Sequence, residues 1–162
     1  MADFGTAIAK TLAREGGAKY TEVGGDGGGA TKFGISQRAY PNEDIRNLTE
    51  QRARDLYERD YWDVVQGDAI LSQAVAENIF DTAVNMGVRT AGRLAQLCAG
   101  SVPVNGVIGN ESIAAINGME ERLFLAAYTI SKVARYAGIC NKDGSQSKFL
   151  LGWINRALGA AA

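Results

Sequence analysis

REGGAKYTEVGGDGGGATKFGIS, residues 14–36, is where the pattern of the chain changes. Upstream of it Phe4, Ile8 and Leu12 recur every four residues and predict a helix over about Asp3–Glu15. At about 100° per residue, Glu15 falls back within that apolar stripe. Gly16 and Gly17 then supply the stop. A carboxylate therefore ends the buried face of a helix, where desolvation favours its protonated form. Next, Gly24–Gly29 contains five glycines and Asp26, too glycine-rich and too short to hold an apolar core. It predicts a turn or β-hairpin with backbone open to a ligand. Tyr20–Val23 and Ala30–Ile35 are the short strands expected on either side.

From Leu48 onward the periodicity is helical. Thr49 is suited to cap a helix reaching about Tyr61, with Leu48 and Ala53 as a weak staple. Ser72 is suited to cap the next helix, which carries Val75, Ile79, Ala83 and Met86 on its apolar side and ends at Gly87. Asn78, Asp81 and Asn85 lie on a different face of it. Thr90–Ala99 predicts a shorter helix buried through Leu94 and Leu97. VPVNGVIG, residues 102–109, reads as a turn-rich connector, with Asn110 capping a helix through Ile116. Met119–Ala137 is the longest helical pattern, with Leu123, Phe124, Ala127 and Ile130 available for packing and Gly138 as its end. Asn141–Ser147 reads as a polar loop and Phe149–Leu158 as a final helix. The expected class is mainly α, a helical domain with a short irregular or β-hairpin segment near residues 20–35.

Composition narrows the chemistry. At 162 residues, 46% hydrophobic and 22% charged, the chain suits one globular domain. A net charge of −1 gives no reason to expect nucleic acid, whose duplex binding rests on many Lys and Arg contacts to phosphate. No apolar run approaches the ~18 residues of a membrane span, so no membrane insertion is expected. The amphipathic N-terminus lacks the form of a cleaved signal peptide, which implies synthesis in the cytoplasm. Cys98 and Cys140 are too few for a disulfide framework or a four-ligand zinc site. The chain contains no histidine. That removes Ser-His-Asp, Cys-His and His-zinc mechanisms, and leaves hydrolysis to carboxylates, hydroxyls and backbone groups.

Cleavage of a glycosidic bond needs one protonated carboxylic acid to donate to the leaving oxygen, and a second polar group to stabilise the sugar or activate water. Glu15 suits the first role, and Asp26 and Thr31 are candidates for the second. The same residues also fit a structural reading, with Glu15 in a core ion pair and Asp26 in a surface turn.

Glu15-Gly16-Gly17, then Asp26–Thr31 (DGGGAT), then Phe33-Gly34-Ile35 resemble the signature of glycoside hydrolase family 108 lysozymes. These are phage and prophage muramidases whose EGG glutamate is catalytic. The order of Glu15, Asp26 and Thr31 also resembles the triad of the wider phage-lysozyme group. Gly27 departs from a proline common in the family. The likeness continues at Tyr57–Asp63 (YERDYWD), at Phe80–Gly87 (FDTAVNMG) and at Gly152–Arg156 (GWINR). VNGVIGNESIAAIN, residues 104–117, is similar to the DG-x-x-G-P-x-T turn of peptidoglycan-binding modules, with Asn105, Asn110 and Ser112 as departures. As a helix-start motif it is equally well explained.

The resemblance implies a lysozyme-like helical domain, with a catalytic first lobe over residues 1–97 that carries the cleft and a second lobe over 98–162 resembling a peptidoglycan-binding region, packed in one compact unit. It implies an endolysin-type hydrolase of the β-1,4 bond between N-acetylmuramic acid and N-acetylglucosamine, with no metal and no organic cofactor. Glu15 would be the general acid, with Asp26 and Thr31 positioning water or stabilising charge. Asp81, Asn85 and Trp153 would contact the glycan strand, although a hydrogen-bond network suits Asp81 and Asn85 and a core position suits Trp153. Its partner would be peptidoglycan, reached after release or export by another system. A lytic transglycosylase, or a non-catalytic wall-binding or secretion-associated protein, are the alternatives.

Overall fold

The computed structural model describes residues 1–14, 17–22 and 29–159. Its contacts divide the chain into two compact units, Phe4–Asp60 and Met1–Asp3 with Tyr61–Ala162. The described elements are mainly α-helical with one small antiparallel sheet, the expected lysozyme-like class.

In the first unit, α1 spans Phe4–Arg14 and buries Ala7, Ile8, Thr11 and Leu12, following the predicted stripe. Gly17, at φ +58°, turns its N–H back to the Leu12 carbonyl at 3.0 Å. Strands β1 (Thr21–Glu22), β2 (Ala30–Lys32) and β3 (Ile35–Ser36) pair in that order, all antiparallel. The single strand expected over Ala30–Ile35 is thus two strands. Lys32 pairs with Ile35 across a two-residue turn, Phe33-Gly34, in which both residues have positive φ (53° and 75°). This is the backbone twist that tight hairpins favour. Phenylalanine rarely adopts it, but here its ring is buried and its peptide is held at both ends. The Phe33 N–H donates to the Gly17 carbonyl at 3.1 Å, and its carbonyl accepts the Tyr57 hydroxyl at 3.1 Å.

Helix α2 (Glu50–Tyr57) starts at Thr49, whose hydroxyl accepts the Arg52 N–H at 3.1 Å as expected. It passes into a π-helical turn over Glu58–Trp62. The preceding loop is organised by Gln37, whose amide donates to the carbonyls of Tyr40, Pro41 and Glu43.

The second unit is built on helices α3 (Gln73–Met86), α4 (Val88–Ala99), α5 (Asn110–Asn117), α6 (Glu121–Lys142) and α7 (Leu150–Gly159). Trp62, Ile70, Ile79, Phe80, Phe124 and Tyr128 are among its fully buried side chains. Trp62 meets Phe80 edge-on at 5.6 Å and donates from Nε1 to Asp68 at 2.8 Å. Its ring lies where a Cβ on Gly67 would stand, 2.2 Å from Cε2, so only glycine fits there.

Ser72 caps α3 as expected, accepting the Val75 N–H, and its hydroxyl donates to Glu121 at 2.7 Å. Gly87, at φ +86°, ends α3, and α4 begins at Val88, two residues before the expected start.

Five expectations are corrected. Leu97 is 59% exposed rather than buried, because the inward face of α4 is Ala91, Leu94, Ala95 and Gln96. Leu123 and Ile130 are exposed because α6 packs through Phe124, Tyr128, Lys132 and Tyr136. Gly138 does not end α6, which runs on to Lys142. One glycine costs a helix only about 1 kcal/mol. Asn110 is the first residue of α5 rather than its cap, a position Gly109 holds without a side-chain bond. The stretch Asn141–Ser147, expected as a polar loop, is mostly helical: α6 reaches Lys142, and Asp143 caps a 3-10 helix over Gly144–Phe149.

Candidate functional site

Glu15 and Asp26, the two carboxylates singled out by the sequence, lie outside the described residues. What the structure describes is the frame on either side of them. The Phe33–Gly17 hydrogen bond ties the β2–β3 turn to the residues just beyond α1. Thr31 sits at the centre of the sheet, half-buried, opposite Thr21 on one side and Ser36 on the other. Directly opposed residues share a face of a sheet. Three hydroxyl side chains therefore form a row, which can donate to and accept from hydroxyls or a water. Sequence reasoning found Thr31 and missed Thr21 and Ser36, since strand register does not show in a stretch this short.

Charged groups surround this frame. The Arg52 guanidinium makes two bonds to Glu43, at 2.5 and 3.2 Å, and holds that carboxyl below its usual range. Arg59 does the same for Asp60, helped by the Tyr40 hydroxyl at 2.9 Å. Tyr20 donates to Glu22 at 2.8 Å, which raises the phenol, while Arg46 lies over its ring.

The second unit holds the other predicted residues. Both oxygens of Asp81 accept from Arg156, at 3.1 and 3.3 Å, and tie α3 to α7. Trp153, one turn earlier on α7, is half-buried and stacks on Tyr136 at 5.1 Å, with Phe149 at 5.9 Å. Burial pushes the Tyr136 phenol up, Arg156 opposes this, and Asp81 adds to it. Asn78 is fully buried, and its Oδ1 accepts from the equally buried ammonium of Lys132 at 2.6 Å. Asn85, at the open end of the same face of α3, is exposed. Asp81 and Trp153 are thus brought together through Arg156 and Tyr136, and Asn85 stands apart from that cluster. Lys132 and Arg156 were missed. For Lys132 a signal was present, because it falls on the four-residue stripe Phe124, Tyr128, Lys132, Tyr136.

The connector before α5 is pinned by the buried amide of Gln96. It donates to Asn105, the Val107 carbonyl and Ser112, and accepts the Gly106 N–H at 2.8 Å. Gly92 and Gly106 allow this approach, since a Cβ on Gly92 would stand 2.7 Å from the Gly106 oxygen. A groove of about 290 Å³ opens beside it, lined by Gln96, Asn105, Val107 and Ser112 among others. Among the described residues no cluster of His, Cys, Asp or Glu is placed to hold a metal ion. No helix among them is long and apolar enough to cross a membrane.

In the first unit a hydroxyl-bearing hairpin thus stands next to the end of α1. Residues 8–87 match the family Glycosyl hydrolase 108, and residues 85–158 match the Predicted Peptidoglycan domain. The glycosyl hydrolase 108 segment is thus followed along the chain by the peptidoglycan domain. It is similar to SagA of Brucella abortus, at 28% identity and a TM-score of 0.80 over 98% of this chain and 91% of that one. No curated protein matches the chain.

Proposed function

We propose that this protein is an N-acetylmuramidase that hydrolyses the β-1,4 bond between N-acetylmuramic acid and N-acetylglucosamine. The observation that carries this reading is the hydrolase-family match over residues 8–87, which contains the Glu15, Asp26 and Thr31 motif. The Glu15 carboxylic acid donates its proton to the glycosidic oxygen as the C1–O bond breaks. Asp26 and Thr31 orient the water whose oxygen bonds to C1 and whose proton leaves to a carboxylate. Thr31 suits that task from the middle of a hydroxyl row. No histidine is present to compete for the proton transfers. Asn85 is the exposed member of the α3 set and contacts the glycan, while Asp81 and Trp153 hold α7 in place beneath it. The peptidoglycan domain keeps the enzyme on its polymer, and the reaction takes place at the wall after release or export.

Digestion of purified peptidoglycan by wild type and Glu15→Gln, with mass spectrometry of the ends, tests this. New reducing muramic acid ends are expected, falling by about 10²–10⁴-fold in the variant. Anhydro-muramic ends would make the protein a lytic transglycosylase. No release by wild type on several wall types would overturn the enzymatic reading.

A further inference from the structure

The groove of about 290 Å³ between the connector turn and the start of α5 is rich in unspent hydrogen-bond donors. Gly109 caps α5 without a side-chain bond, and the first bond of the helix runs from the Ile113 N–H to the Gly109 carbonyl at 2.9 Å. The N–H groups of Asn110, Glu111 and Ser112 are therefore left without an intrahelical partner, at the positive end of the helix dipole. Ser112 is 4% exposed and lines the groove. Its oxygen accepts from Gln96 at 3.1 Å, while its own hydrogen has no acceptor among the described residues. The Asn105 side chain likewise spends its oxygen, on Gln96 and the Val107 N–H, and its amide hydrogens have no acceptor among the described residues. Two arginines add to the positive field. Arg89 and Arg93 are exposed on α4, four residues apart, with no ion pair among the described residues. The Arg93 stem lies against the same turn, since a Cβ on Gly106 would stand 3.1 Å from its Cγ. Like charges at this spacing repel each other, and Arg89 sits in the first turn of α4, where the dipole favours an acid. Neither charge helps the helix that carries it.

We propose that this groove is a subsite for the peptide stems of peptidoglycan, with a stem carboxylate lodged on the α5 N–H groups and the Ser112 hydroxyl. This rests on the reading of peptidoglycan as the substrate polymer, and assigns the stem rather than the glycan to the groove. A sugar hydroxyl brings a donor with its acceptor, whereas a carboxylate brings acceptors alone. The N-acetylated glycan strand is uncharged, and the free carboxylates of the polymer are on its stems. A carboxylate at a helix N-terminus gains from both the N–H groups and the dipole. Val107, 57% exposed, and Pro103 offer apolar contact to the methyl groups of the stem alanines. Glu111, the acid in the lining, is exposed and suits the amine of the stem's diamino residue.

Heteronuclear NMR of the full chain, titrated with the stem tripeptide alanyl-γ-glutamyl-diaminopimelate, tests the proposal. Saturable shifts are expected at the Asn110, Glu111 and Ser112 amides and at the Asn105 side-chain amide, with Kd in about the millimolar range. Ser112→Ala is expected to weaken binding about tenfold, through the loss of one hydrogen bond to a charged group. Arg93→Glu is expected to weaken it severalfold at low salt, and less in about 1 M salt. Leu151→Glu, on the exposed face of α7, leaves binding unchanged. A dispersed spectrum establishes that each variant is folded. The tripeptide with its carboxylates amidated is expected to lose the shifts. Equal shifts from the amidated peptide overturn the proposal, and so do the same amides answering instead to peptide-free glycan strands. The absence of shifts at about 10 mM tripeptide overturns it as well. Reducing ends released in parallel from whole peptidoglycan decide the muramidase reading separately: cleavage without tripeptide binding removes this subsite and keeps that reading, and binding without cleavage does the reverse.

Discussion

Removing the Asp81 carboxylate tests whether this residue acts by holding α7 or by touching the glycan. Its side chain is 8% exposed and accepts two bonds from Arg156, which is 27% exposed. Truncating one partner of a fully buried pair costs about 3–5 kcal/mol, because the other charge is left without compensation. Arg156 keeps some access to water, which relieves part of that cost. Asp81→Ala is therefore expected to lose about 2–3 kcal/mol. At roughly 2–4 °C per kcal/mol for a chain of this size, Tm falls by about 4–12 °C. Urea unfolding of Asp81→Ala, Arg156→Ala and the double variant gives the coupling directly. About 1–2 kcal/mol is expected, since once one member is gone the loss of the other costs less. A coupling within about 0.3 kcal/mol of zero would refute the reasoning. So would an Asp81→Ala variant of unchanged stability that has lost its affinity for peptidoglycan, which would make Asp81 a direct glycan contact.

Two further outcomes follow from the geometry. Gly67→Ala places a methyl group inside the Trp62 ring position and is expected to cost about 3 kcal/mol in urea unfolding, whereas Gly138→Ala, which meets open space inside α6, is expected to cost nothing. The Asp60 carboxyl is held below its unfolded value by Arg59 and Tyr40, so its contribution is present above the unfolded pKa of about 4 and fades as pH falls through the lower folded value. The pair is partly exposed, so the gain is below about 1 kcal/mol. The stability difference between wild type and Asp60→Asn is expected to shrink as unfolding is followed from pH 6 into the acid range, and a difference that grew instead would contradict the assignment.

The readings that held were local ones. The spacing of Phe4, Ile8 and Leu12 sets the buried side of α1. Thr49 and Ser72 cap their helices because a hydroxyl can reach an N–H three residues on whatever lies beyond. The hairpin near residues 20–35 was legible in its glycines, although not the two-residue turn that divides its second strand. That turn depends on Gly17 and Tyr57, which hold the Phe33 peptide from outside the hairpin.

For α6 the periodicity alone offered several apolar sides. Leu123 and Phe124 are neighbours of similar hydrophobicity, yet one is 59% exposed and the other fully buried. The choice rests with the helices packed against α6. Leu97 was misplaced for the same reason. In the candidate site, the sequence by itself determined the chemical inventory. It has no histidine, and it has carboxylates and a threonine on either side of a glycine run and a polar set on α3. Only the tertiary structure decided that Asp81 is bound by Arg156, 75 residues away, and that Asn78 receives a buried lysine, 54 residues away. Helical phase and capping are set by covalent neighbours within a turn or two, so they are encoded residue by residue. Which of two faces is buried, and which charge meets which, depends on distant segments arriving together, and no local pattern contains that information.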